Sequence, residues 1–143
     1  MTVLDATQLQ QILDLAFPDA EVPQVEEVSG DTIVMRQPVG ARHERPGGTV
    51  SGPLMMMLAD TAAWVAILAQ VGPELLAVTT SLHIDFLRKP AMTDVVAHAT
   101  VLKLGRKLAV VEVAMSSLGA AELVAKAQVT YSLPSSTAVP PGS

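Results

Sequence analysis

The chain has 143 residues, half of them hydrophobic and 16% charged, with no cysteine and a net charge of -5. That length suits one domain able to bury most of its apolar surface, and the composition excludes a disordered chain. Lack of cysteine excludes a disulfide framework and thiolate chemistry, and the acidic balance argues against nucleic acid as a partner.

The opening "MTVLDATQLQQ" has no basic segment followed by an apolar stretch, so a cytoplasmic location is expected. In "TQLQQILDLAF", Leu9, Ile12, Leu13 and Ala16 recur at helical spacing and Pro18 stops the pattern, which predicts an amphipathic helix over about residues 5–17. Val25 and Val28 then precede a Ser-Gly-Asp turn, with Ile33 and Met35 beyond it, the pattern of a β-hairpin. Residues 40–50 are rich in Gly, Pro and charge and predict a loop.

The stretch "GPLMMMLADTAAWVAILAQVG" (52–72) predicts a long helix to about Gln70, with Ser51 or Gly52 as cap, Pro53 as a good first residue and Gly72-Pro73 as the stop. Its apolar run of about 17 residues falls short of the roughly 20 that cross a bilayer, so a buried helix and no membrane partner are expected. Asp60 interrupts the run. An unpartnered buried carboxylate is costly, so a helix that needed only to be apolar would not carry one. The bland alternative is a carboxylate that bonds a neighbouring backbone group.

Alternation then predicts a strand from about Leu75 to Leu87, and turn signals at Gly105-Arg106 and at 118–121 leave strands near 94–104, 107–116 and 122–133. On strict alternation Thr79 and Ser81 share a face. Residues 135–143, rich in Pro and Ser, read as a disordered tail, and no repeat or linker divides residues 1–134, expected to be one domain. A helix apolar on every side needs burial all round, supplied by an antiparallel sheet curved about it together with a partner's surface. The expected class is α+β, with the last four strands as a meander. His83 and His98 have no second ligand pattern, so no metal site is expected.

Gly48, "SGP" at 51–53, "LADTA" at 58–62, "AVTTSLHIDFLRKPA" and "VLKLGRKLAVVEVAM" resemble, in order and spacing, the hotdog-fold thioesterases, in particular the phenylacetyl-CoA (PaaI-type) acyl-CoA thioesterase branch. The likeness covers residues 20–133. That family's His-Gly-Gly becomes Ser51, Gly52 and Pro53, and the position six before its histidine, often Asn, is Arg45. The resemblance implies the hotdog fold, a homodimer or a dimer of dimers, and hydrolysis of a small to medium or aromatic acyl-CoA. CoA would enter as part of the substrate, with no other cofactor.

It further implies that a thioester carbonyl rests on the Gly52 N–H of one subunit and meets Asp60 of the other. Asp60 is a candidate nucleophile or general base, and the Gly52 amide, at a helix start, a candidate oxyanion donor. Thr79 lies where the family often has a hydroxyl residue holding the water or the carboxylate. Met56, Met57 and Trp64 are candidates for the acyl pocket, against a core-packing alternative; Arg45 is a candidate for a substrate carboxylate or phosphate, against a loop salt bridge with Glu44 or another acid, and Ser51 for substrate binding. Arg88, Lys103, Arg106 and Lys107 are candidates for the CoA phosphates, against plain solvated turns. The competing function is a noncatalytic acyl-CoA-binding protein on the same fold, favoured by Ser51 in place of histidine.

Overall fold

The computed structural model describes residues 2–134; the tail at 135–143 lies outside them. Helix α1, Ala6–Ala16, begins with a reciprocal cap in which the Asp5 carboxylate accepts from the Gln8 N–H and the Gln8 side chain accepts from the Asp5 N–H. Its Leu9 and Leu13 are fully buried. Strands β1 (Gln24–Ser29) and β2 (Thr32–Gln37) form the expected hairpin.

The segment expected as a loop is more ordered. A short 3₁₀ turn, Ala41–His43, leads into a miniature hairpin of β3 (Glu44–Arg45) and β4 (Thr49–Val50). Gly47 and Gly48 turn it with φ of 100° and 75°, a region closed to most side chains. The Ser51 N–H donates to the His43 carbonyl at 2.8 Å, tying this loop to the start of helix α2 (Gly52–Val71).

Four long strands follow: β5 (Val78–Phe86), β6 (Val95–Leu104), β7 (Leu108–Ser117) and β8 (Leu123–Ser132). All strands of the main sheet pair antiparallel, in the order β1-β2-β6-β7-β8-β5. This corrects the simple meander. β5 pairs with β8 rather than β6, and β6 lies against β2. β2 pairs with β1 along one edge and with β6 along the other, and its Ile33, Met35 and Gln37 are buried. The connection over residues 87–94, about 25 Å when extended, is long enough to cross the intervening strands.

α2 lies in the hollow of this sheet. Ala59, Ala62, Ala63 and Ala66 of the helix share one buried cluster with Ala97, Ala99, Ala109 and Ala125 of the strands, and such small side chains let helix and strands approach closely. Between them Leu58, Ile67 and Leu68 are fully buried, each worth roughly 2 kcal/mol by burial. At 20 residues α2 is long and apolar enough to cross a bilayer, contrary to the shorter estimate from sequence, but its second half is enclosed by the domain itself. Its first half is less covered: Met56 is 42% and Met57 38% exposed.

Candidate active site

Asp60 is not alone. The Thr79 hydroxyl donates to its Oδ1 at 2.6 Å, and the Tyr131 hydroxyl lies 2.9 Å from that same oxygen and 3.1 Å from the Asp60 carbonyl oxygen. Among the described residues nothing donates to Oδ2. Tyr131 is buried, and loss of solvation pushes its hydroxyl well above the usual phenol range. The Thr79 bond pulls in the opposite direction, and the neighbouring Asp60 charge adds to the rise. The phenol is therefore a hydrogen-bond donor, not a base, at any working pH.

A β-bulge makes this meeting happen. Thr79 pairs with Tyr131 while Ser81 pairs with Thr130, so Thr80 is an extra residue in β5. Its hydroxyl donates to the Thr130 carbonyl at 3.2 Å. The inserted residue reverses the alternation: Thr79 faces Asp60 with Tyr131, and Ser81 falls on the other face. The expectation that Thr79 and Ser81 share a face is thereby corrected.

Asp60, Thr79 and Tyr131 line one wall of a cleft of about 460 Å³. Phe17, Trp64, Leu75 and Ala77 supply apolar walls. Trp64 meets Phe17 edge-to-face with ring centroids 6.0 Å apart and donates its indole N–H to the Glu74 carbonyl at 3.3 Å.

Gly52 stands elsewhere. Ser51 caps α2, its hydroxyl accepting from the Leu54 N–H at 3.3 Å, while Met55 N–H reaches the Ser51 carbonyl at 3.4 Å and Pro53 has no N–H. Of the donors at this helix start only the Gly52 N–H is left without a partner among the described residues. It opens onto a separate cleft of about 360 Å³ shared with Met55, Phe86, Arg88 and Lys89.

The remaining candidates are dispersed. Met57 lines a third cleft with Leu54, Arg42 and His43, and its sulfur accepts from the Thr61 hydroxyl at 3.4 Å. Met56 and Arg45 are exposed, and Arg45 is engaged through its backbone, pairing with Thr49 and accepting from the Gly48 N–H at 3.1 Å. Arg88 donates to the Leu123 carbonyl at 2.8 Å and sits 3.7 Å from Glu122. Lys103, Arg106 and Lys107 are exposed around the β6–β7 turn, with no ion pair among the described residues.

With this geometry in view, a family model described as "Thioesterase superfamily" matches residues 47–124. The chain belongs to the thioesterase superfamily. A crystal structure of a candidate thioesterase from Silicibacter sp. is 42% identical with a TM-score of 0.87, covering 94% of each chain. A mutant of the phenylacetic acid degradation protein PaaI from Thermus thermophilus is 29% identical at a TM-score of 0.70, covering 83% of this chain and 99% of its own. Zebra fish thioesterase superfamily member 2 shares the fold at 24% identity and a TM-score of 0.79, covering 92% of this chain and 99% of its own. No curated protein matches the chain.

The thioesterase has the hotdog arrangement, a curved antiparallel sheet around one long helix, and is a thioester hydrolase. Tyr131 is the residue that sequence reading missed. It occupies an inward position of a strand whose alternation already explains an apolar ring, and only the fold brings it to Asp60, 71 positions away. The one available signal is that it is the sole tyrosine in the chain.

Proposed function

We propose that this thioesterase hydrolyses acyl-CoAs carrying a small to medium or aromatic acyl group, at sites shared between two copies of the chain. The observation that carries the reading is the split between two reactive groups on one helix. Asp60 offers a free carboxylate oxygen and Gly52 a free N–H, but eight residues of helix separate them by about 12 Å. One carbonyl cannot meet both within a single chain.

A second copy resolves this. Gly52, Met56 and Asp60 follow each other at four-residue steps along one stripe of α2. Two antiparallel α2 helices related by a two-fold axis at Met56 would set Asp60 opposite Gly52 of the partner subunit, since both lie four residues from the centre. The exposed Met56 and Met57 would then be covered. β5 ends the sheet with an unpaired edge and exposed Val78 and Phe86, a surface that proteins seldom leave open. The pairing makes a homodimer, which can assemble further as a dimer of dimers.

At such a site the carbonyl oxygen accepts from the Gly52 amide at the positive end of a helix, which stabilises the charge that develops there. Asp60 either attacks the carbonyl carbon or removes a proton from an attacking water, and the CoA thiolate leaves. Phe17 and Trp64 give the acyl group an aromatic wall. Ser132 pairs with both Val78 and Leu108, so Arg106 and Lys107 lie at the same end of the sheet as Thr79, where the CoA phosphates could reach them, with Lys103 beside them. Arg88 and Arg45 flank the Gly52 side. The reading calls for no metal and no redox cofactor, and it sets the enzyme in the cytoplasm with acyl-CoA as its partner.

Release of free thiol from short, aromatic and long acyl-CoAs by wild type and Asp60→Asn tests it. Turnover of an aromatic or short to medium member, with at least about a hundredfold loss in the Asn variant, is the expected result. No thiol from any member, with acyl-CoA still bound, would contradict it.

A further inference from the structure

We infer that Tyr131 is a positioning residue that, with Thr79, clamps Asp60 through Oδ1 and so leaves Oδ2 as the single reacting oxygen. The inference rests on the proposed role of Asp60 and adds which atom reacts and what holds it. The Thr79 hydroxyl donates to Oδ1 at 2.6 Å, and the Tyr131 hydroxyl shares its one hydrogen between Oδ1 at 2.9 Å and the Asp60 main-chain carbonyl at 3.1 Å. Oδ2 receives none among the described residues, and no cation lies among the residues of the cleft. A carboxylate with both lone-pair sets engaged is a poor base. One held by a single oxygen keeps the other free while its side-chain torsions are fixed.

The phenol holds more than the carboxylate. Its oxygen also lies 3.1 Å from the Asp60 main-chain carbonyl, so one rigid ring, anchored in β8, sets the carboxylate relative to its own helix turn. Thr79 grips from the neighbouring strand, and the bulge at Thr80 makes that grip possible. The donors come from two strands of the sheet and the acceptor from the helix, so the clamp fixes the reacting atom to the rigid part of the fold rather than to a loop.

The test compares kcat and KM for wild type, Tyr131→Phe, Thr79→Val and Asp60→Asn, on an acyl-CoA that wild type hydrolyses. Tyr131→Phe keeps the ring and loses the donor. It should lower kcat about tenfold to a hundredfold with KM within about twofold. Thr79→Val should lower kcat in the same way. Unchanged kcat in Tyr131→Phe, or a rise in KM alone, would overturn the inference.

A second probe does not depend on turnover. Because Tyr131 is the sole tyrosine, growth on 3-fluorotyrosine labels that hydroxyl alone. The fluorine resonance should differ between the wild-type and Asp60→Asn backgrounds. If wild type hydrolyses no acyl-CoA, the substrate reading fails while this resonance still reports the clamp. Identical resonances in the two backgrounds would show that no such bond exists, and the clamp would fail even with the enzyme active.

Discussion

Two half-buried carboxylates in this chain are used in opposite ways. Asp94, just before β6, accepts from the Arg36 guanidinium on Oδ2 at 2.7 Å and from the Val39 N–H on Oδ1 at 3.0 Å. Both oxygens are engaged. The Arg36 hydrogen bond first and the Val39 bond second hold its carboxyl below the usual aspartate range; burial opposes them, and the Arg36 charge adds a smaller lowering effect. Asp60 lines a cleft and has two hydroxyls on one oxygen, and among the described residues no cation pairs with it and nothing donates to its other oxygen. A carboxylate that holds structure together spends its lone pairs on the fold, and one that does chemistry keeps a pair in reserve.

Neutralising each carboxylate separates the two uses. Asp60→Asn should cost at least about a hundredfold in kcat/KM and leave the melting temperature near that of wild type. Thiol release and thermal melting measured on the same preparation check both halves. An intact enzyme with a lowered melting temperature would give Asp60 the role assigned to Asp94.

The proposed oxyanion donor, the Gly52 N–H, offers the next largest effect. Ser51 has φ -68° and ψ 145°, the conformation that a residue before proline adopts, so Gly52→Pro can remove the N–H while keeping the helix start. A loss of about a hundredfold in kcat is expected. Gly52→Ala is the control: it keeps the N–H, and its Cβ would meet the Phe86 ring at an ordinary 3.5 Å.

The smallest effect belongs to Asp94→Asn, which should leave kcat/KM within about twofold. Stability should fall by about 1 kcal/mol, a modest figure because Arg36 is partly exposed and solvent screens the pair. The folded-state carboxyl is depressed, so its contribution is present above the ordinary value near 3.8 and is lost as pH falls through the lower folded value. Urea melts across that range should show wild type and Asp94→Asn converging in acid and separating above it.

Much of this was legible in the residues themselves. The α2 pattern with its single acid named Asp60, Ser51 and Gly52-Pro53 marked the helix start, and the strand limits fall within about three residues of those observed. Thr79 was found from the family pattern, but its face was not, because one inserted residue reverses alternation and leaves no mark in composition. Strand order was hidden for another reason: periodicity reports which face is buried, not which strand lies alongside. The Tyr131 hydroxyl meets Asp60 only when β8 lies between β7 and β5.

The central claim is that each site joins Asp60 of one copy to Gly52 of another. Mixing two crippled variants, Asp60→Asn and Gly52→Pro, tests it most directly. After unfolding and refolding together at equal amounts, half the dimers are mixed, and each of these holds one site with both native groups and one with neither. The account predicts recovery of about a quarter of wild-type activity from two nearly inactive proteins. If mixed dimers form and activity stays at the level of the separate variants, each site lies within one chain and the account is wrong.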